Sequence, residues 1–219
     1  MLYYTLYICI MQKSHKKLFI ITISAVLTGV VFALARRRVN PKGYSALFIG
    51  DSHTALYGNG WQDTLAKTYG FKVINLSQVG KTTGWMYNTL KNYLDKNPAP
   101  DMLFIYGGAN DIYGKANATT VFNNIQRMVN LGIEKGIKAK NIFVIAGYRT
   151  ARVTAGSKYA QGGFPERMDA FKEALKTQVT QATIVPIWEE GTNKDSGDGL
   201  HLNGQAQTRF AKFIGSKIF

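Results

Sequence analysis

Five short apolar runs, separated by amphipathic stretches, constrain this chain more than any other feature. They are Ser45–Ile49, Lys72–Leu76, Met102–Tyr106, Asn141–Ile145 and Thr183–Ile187. Each is short and almost continuously apolar, the pattern of a strand covered on both faces. Between them, apolar residues recur at three- and four-residue spacing. Val121, Ile125, Met128, Val129 and Ile133 make one stripe, with Gly136 as its stop. Pro165 opens another through Met168, Phe171, Leu175 and Val179, and a last one after Asn203 carries Ala206, Phe210, Phe213 and Ile214. The alternation predicts an α/β domain: a five-stranded parallel sheet in a three-layer α/β/α sandwich.

Upstream of the first run the chain changes character. Residues 1–17 are basic, and 18–35, "LFIITISAVLTGVVFALA", hold no charge over 18 residues, the short end of what spans a bilayer. Residues 36–44 read as a linker, and 45–219 as the folded domain. Two readings of 18–35 compete. Ala33-Leu34-Ala35 fits a signal-peptide cleavage site. Arg36, Arg37 and Arg38 directly after the run instead favour an uncleaved transmembrane anchor. Charge counting leaves the orientation nearly tied, with an extracytoplasmic domain the weakly favoured one, and Met11 competes with Met1 as the start.

The 219 residues carry a net charge of +14, and no Asp or Glu occurs before Asp51. From Val39 onward 21 basic residues still face 13 acidic ones. Such a body suits an anionic membrane surface or a charged polysaccharide. Nucleic acid is not expected as a partner, because its recognition needs a clustered basic face with stacking aromatics and the charges are scattered along the chain. The single cysteine, Cys9, excludes intrachain disulfides and Cys-based zinc sites. No metal or cofactor is expected.

In a parallel sheet, functional residues gather beyond the C-terminal ends of the strands. After the first strand comes Gly50-Asp51-Ser52-His53; after the second, "SQVGKTTGW"; after the third, "GGAND"; after the fourth, a loop from Gly147 to Phe164; after the fifth, a loop holding Asp198 and His201. A serine, a glycine, an asparagine and an Asp/His pair on one edge are the parts of a serine hydrolase. "NLSQVGKT", Asn75–Thr82, is a decoy for a phosphate-binding loop, since that loop requires glycine where this chain has Asn75.

These blocks resemble the SGNH hydrolase superfamily, the GDSL-type esterases, over essentially everything from Ser45 onward. Gly50-Asp51-Ser52-His53 is similar to the first block, Gly80 to the second, Gly108-Ala109-Asn110-Asp111 to the third and Asp198-Gly199-Leu200-His201 to the last. The resemblance implies a flavodoxin-like sheet, Ser52 as nucleophile, His201 as base and Asp198 as its orienting carboxylate. It implies an oxyanion hole from Ser52, Gly80 and Asn110. His53 stands where the commonest version has leucine. That form is similar to SGNH-like domains tied to polysaccharide acylation and deacylation, so it moves the expected substrate toward acylated glycans.

The chemistry agrees with these assignments. A serine hydroxyl needs an imidazole to take its proton. His53 is adjacent to Ser52, where neighbouring side chains point apart, so His201 is the better base. Asp198, on the same turn, would fix its tautomer, and the oxyanion needs donors fixed in advance. Against this, Ser52 alone reads as a helix cap, Asn110-Asp111 alone as a turn, and Asp51 as a brace of its turn. His53, Asp111, Arg149 and Trp188 are candidate substrate contacts, and Arg152 and Lys158 share the loop of Arg149. Trp61, Trp85, Tyr113 and Trp188 could stack on a sugar, or pack in the core. The expected activity is hydrolysis of ester-linked acyl groups, short and acetyl-like, from a polysaccharide or lipid. Two alternatives stay open: an O-acyltransferase using the same triad, and a non-catalytic envelope- or glycan-binding module.

Overall fold

The apolar runs form strands β1 (Ser45–Gly50), β2 (Lys72–Asn75), β3 (Met102–Tyr106), β4 (Ile142–Ala146) and β5 (Thr183–Pro186). The computed structural model describes residues 39–55, 60–146, 163–178, 181–187 and 201–219. Its helices are α1 (Trp61–Tyr69), α2 (Thr83–Leu94), α3 (Ala109–Tyr113), α4 (Ala118–Glu134), α5 (Phe164–Gln178) and α6 (Gly204–Ile218). All pairings are parallel, in the order β2-β1-β3-β4-β5. This is the flavodoxin-like order, whose switch point lies between β1 and β3.

Strand alternation sorts the core into two unlike layers. One face takes Leu47, Ile49, Leu103, Ile105 and Val144, covered by Met86 and Leu90 of α2, Val121 and Ile125 of α4, and Phe171 and Leu175 of α5. The opposite face is aromatic because the register pairs Phe48 with Phe104 and Phe104 with Phe143. Their ring centroids lie 4.5 and 4.9 Å apart. Trp61 of α1 stands edge-on at 5.4 Å from Phe48 and 5.6 Å from Phe210 of α6. Each such pair adds about 0.5–1.5 kcal/mol beyond its area burial. The described buried apolar residues run from Ala46 to Ile218, so the unit Asn40–Phe219 carries a hydrophobic core of its own.

The boundaries differ from the sequence reading in physically specific ways. Asn141 closes a 3-10 turn (Ala139–Asn141) instead of opening β4. Leu76 falls outside β2, although its N–H still donates to the Phe48 carbonyl at 2.9 Å. The helix α3 follows β3 without any apolar periodicity to announce it. The segment expected as linker is partly docked. Gly43 N–H donates to Gly70 O (2.8 Å), Tyr44 N–H to Pro41 O (2.9 Å), and Lys72 N–H to Tyr44 O (2.8 Å). Asn40–Tyr44 therefore belongs to the domain. The segment 18–35 lies outside the described residues, among which no helix is long and apolar enough to cross a membrane.

Candidate active site

β1 and β3 end side by side at the switch point, and both continue into tight turns. Gly50 permits the first: a Cβ there would meet the Tyr106 carbonyl oxygen at 2.4 Å and Thr54 Oγ1 at 2.7 Å. Asp51 N–H still donates to Tyr106 O (3.3 Å), after which Thr54 and Ala55 N–H both turn back onto Asp51 O (3.1 and 2.9 Å). Asp51 Oδ1 accepts the His53 N–H at 3.0 Å, a local brace of the kind Asp favours in turns. Ser52 is thereby carried to the edge of the cleft, half-buried, while Asp51 and His53 are buried beside it.

His201 reaches Ser52 across 149 positions of sequence. Its Nε2 lies 2.9 Å from Ser52 Oγ, within hydrogen-bond distance. The imidazole is set by the start of α6, where the Asn203 side chain caps the helix by accepting Ala206 N–H at 2.9 Å. The His53 ring lies 5.4 Å from both His201 and Tyr106, so it backs the site from the buried side. Asp198, Arg149 and Trp188 fall outside the described residues.

Trp61 and Gln207 tie the two halves together. Trp61, open in the sequence between sugar platform and core, is fully buried. Its indole N–H donates to His53 O (3.0 Å) and its backbone N–H to Gln207 Oε1 of α6 (3.1 Å). It thus links the turn bearing Ser52 to the helix following His201. Gln207 gave no signal in the sequence, since it lies inside an amphipathic helix. Gln62 and Asn75 close the same turn by donating to Thr54 O at 3.2 and 2.9 Å.

The second and third blocks are clamped by their own side chains. Asn110 Nδ2 donates to Lys81 O at 3.0 Å, and one Nδ2 hydrogen remains for another acceptor. Asp111, expected among the substrate contacts, is engaged with Thr83. It is buried, and its two oxygens accept Thr83 N–H (2.9 Å) and Thr83 Oγ–H (2.7 Å). It caps α2 from a distance, where Thr82 makes no side-chain cap. Between these clamps Gly80 turns with φ +76, and a Cβ there would meet nothing within 4 Å. Its backbone conformation, not crowding inside the protein, is what favours glycine. Gly108 has both reasons, with φ +114 and a phantom Cβ at 2.8 Å from Val121.

Electrostatically the site centres on Asp51. Burial pushes its carboxyl up to about 7, opposed by the His53 N–H bond and by attraction to His201; nearby Asp111 pushes the same way as burial. Asp51 Oδ2 meets no hydrogen-bond donor among the described residues. Val79 and Tyr113, flanking Gly80 and Asn110 in sequence, are exposed apolar side chains. Trp85 is partly buried against the core, with Lys81 Nζ 5.4 Å from its ring centroid. No group of three or more candidate metal ligands occurs among the described residues.

Residues 48–209 match the model of the GDSL-like Lipase/Acylhydrolase family. The chain belongs to that family. As a member of the GDSL-like family it is a carboxylic ester hydrolase. Solved GDSL-type structures share the fold at low identity. A lipolytic G-D-S-L family protein from Veillonella parvula is 17% identical, with TM-score 0.62 over 79% of this chain and 94% of that one. The lipase Lip_vut3 from a goat rumen metagenome is 15% identical, with TM-score 0.64 over 80% and 97%. The esterase EstA from a Pseudoalteromonas species is 20% identical, with TM-score 0.59 over 80% and 96%. No curated protein matches the chain.

Proposed function

We propose that this protein is a serine esterase that removes short, acetyl-like acyl groups from a glycan, using Ser52 as nucleophile, His201 as base and Asp198 as the carboxylate that orients His201. The observation that carries this reading is the 2.9 Å approach of His201 Nε2 to Ser52 Oγ. As Ser52 Oγ attacks the ester carbonyl, its proton passes to His201 Nε2 and the carbonyl oxygen gains the negative charge. Ser52 N–H, Gly80 N–H and the second Asn110 Nδ2 hydrogen receive that charge. His201 returns the proton to the departing alcohol, and a water then repeats the sequence on the acyl-enzyme. The glycan assignment is supported by the His53 form of the first block and by exposed Tyr113, which offers a stacking face. The protein is held at a membrane by Leu18–Ala35, with its domain outside the cytoplasm. The anchor is supported by the uncharged run and by the arginine flank, which opposes export and cleavage.

The test is hydrolysis of p-nitrophenyl acetate, butyrate and octanoate beside acetylated glycans. Ser52→Ala is expected to lower turnover by on the order of 10⁴-fold or more. His53→Ala should spare most of it, and acetate should be preferred over octanoate. Undiminished turnover in folded Ser52→Ala would end the proposal. A preference for octanoate would remove its acyl assignment.

A further inference from the structure

The lysines scattered along the sequence converge in the fold. In a parallel sheet every loop leading into a strand opens on the edge opposite Ser52. Lys42 precedes β1, Lys72 begins β2, Lys96 precedes β3, and Lys138 and Lys140 precede β4. All five are exposed, and none forms an ion pair among the described residues. Lys67, Lys91, Lys176 and Lys217 reach the same edge in the last turns of their helices, where the helix dipole accounts for them. Lys42, Lys72, Lys138 and Lys140 belong to no α-helix, so no dipole accounts for those four.

Acidic groups on this edge are mostly engaged. Asp95 is bound by both Lys91 and Lys135. Asp101 accepts Ser45 N–H at 2.8 Å and Ser45 Oγ–H at 3.0 Å. Glu134 is the exposed exception. Tyr44, Asp101, Lys138 and Asn141 line one open pocket of about 150 Å³, which places these loops together beside the docked turn Asn40–Tyr44. That turn also fixes where the chain joins the domain. Between the apolar run ending at Ala35 and Asn40 lie only Arg36, Arg37, Arg38 and Val39. Four residues reach at most about 14 Å when fully extended.

We propose that the N-terminal edge of the sheet is a lipid-facing surface, its loop lysines resting on the anionic headgroups of the bilayer that Leu18–Ala35 enters. The choice of a bilayer over another polyanion rests on the anchor reading above; the cationic edge does not. The six residues of β1 then raise Ser52 about 20 Å from the headgroups, which turns the cleft away from membrane lipid and toward substrate in the surrounding medium.

The test uses the domain Asn40–Phe219, which has its own core, and sedimentation with phosphatidylcholine vesicles with or without 30% phosphatidylglycerol. Binding should require the anionic lipid and weaken with salt. A juxtamembrane lysine contributes roughly fivefold in partitioning, so Lys42→Gln with Lys138→Gln and Lys140→Gln should cost at least about tenfold. The equally charged control Lys115→Gln with Arg127→Gln and Lys212→Gln should retain most binding. Melting temperature and p-nitrophenyl acetate turnover should be unchanged in the first triple variant. Equal losses in both variants, no preference for anionic vesicles, or lysine-dependent binding to heparin but not to vesicles would each overturn the proposal. Membrane fractionation of the full chain separates the two readings. A full chain that washes off in salt, while the domain still binds vesicles through the three lysines, removes the anchor and leaves the surface.

Discussion

Asp51 adjoins Ser52 in the chain but is wholly buried, and burial raises its carboxyl from the ordinary 3.8 to about 7. Between those values the folded protein keeps a proton that the unfolded chain has released. Asp51 therefore favours folding fully below about pH 4, and that contribution is lost as pH rises through 7. Three pKa units correspond to about 4 kcal/mol. We expect Asp51→Asn, whose side-chain oxygen can still accept the His53 N–H, to lose much of the fall in unfolding free energy from pH 5 to 8. Urea titrations of both proteins at the two pH values measure it, and parallel slopes would count against a charged, buried Asp51. At the same scale, Asn110→Ala should lower kcat by about 10²–10³-fold if its amide serves the oxyanion, with little change in KM. A change confined to KM would place Asn110 in ground-state binding instead.

At the level of elements, the clamp between α3 and α2 sets the Gly80 turn. Asp111→Ala would leave the buried Thr83 N–H and hydroxyl without their acceptors, a cost of about 1–3 kcal/mol per group. The same change loosens the Gly80 turn, so kcat should fall along with stability if the Gly80 N–H serves the oxyanion. Asp111→Asn retains one acceptor and should recover part of both. If Asp111→Ala kept full stability and changed only KM, the residue would be a substrate contact after all. Gly108→Ala tests the neighbouring constraint. A methyl group there meets Val121 and Phe171 in a backbone conformation that alanine rarely adopts, and destabilisation of about 2 kcal/mol or more should appear as a lower melting temperature.

In the whole molecule, Trp61 and Gln207 couple the β1 turn to α6. Gln207→Leu removes the acceptor of a buried backbone N–H and should cost about 1–3 kcal/mol. Because α6 follows His201, the variant should also lose activity below its melting transition, readable as a drop in kcat at 25 °C. Full activity there would show that the Ser52–His201 pair stands without this link.

The strands, the long amphipathic helices and the chemistry-bearing blocks were legible in the sequence because each rests on local pattern: apolar runs, 3.6-residue periodicity, and polar residues directly after a strand. Parallel topology then placed Ser52, Gly80, Asn110 and His201 on one edge. What the sequence could not supply were contacts fixed by packing between distant segments. Asp111 reads as one more polar residue until α2 presents Thr83, 28 positions away. Trp61 reads equally well as a sugar platform or as core until Phe48 and Phe210 enclose it. The lysines look scattered until the four crossovers of the sheet return their loops to one edge. Local sequence determined which elements form and which residues follow them. Only tertiary structure decided which side chains are spent holding the site together and which remain free to act, since that depends on the partners that the crossovers bring within bonding distance.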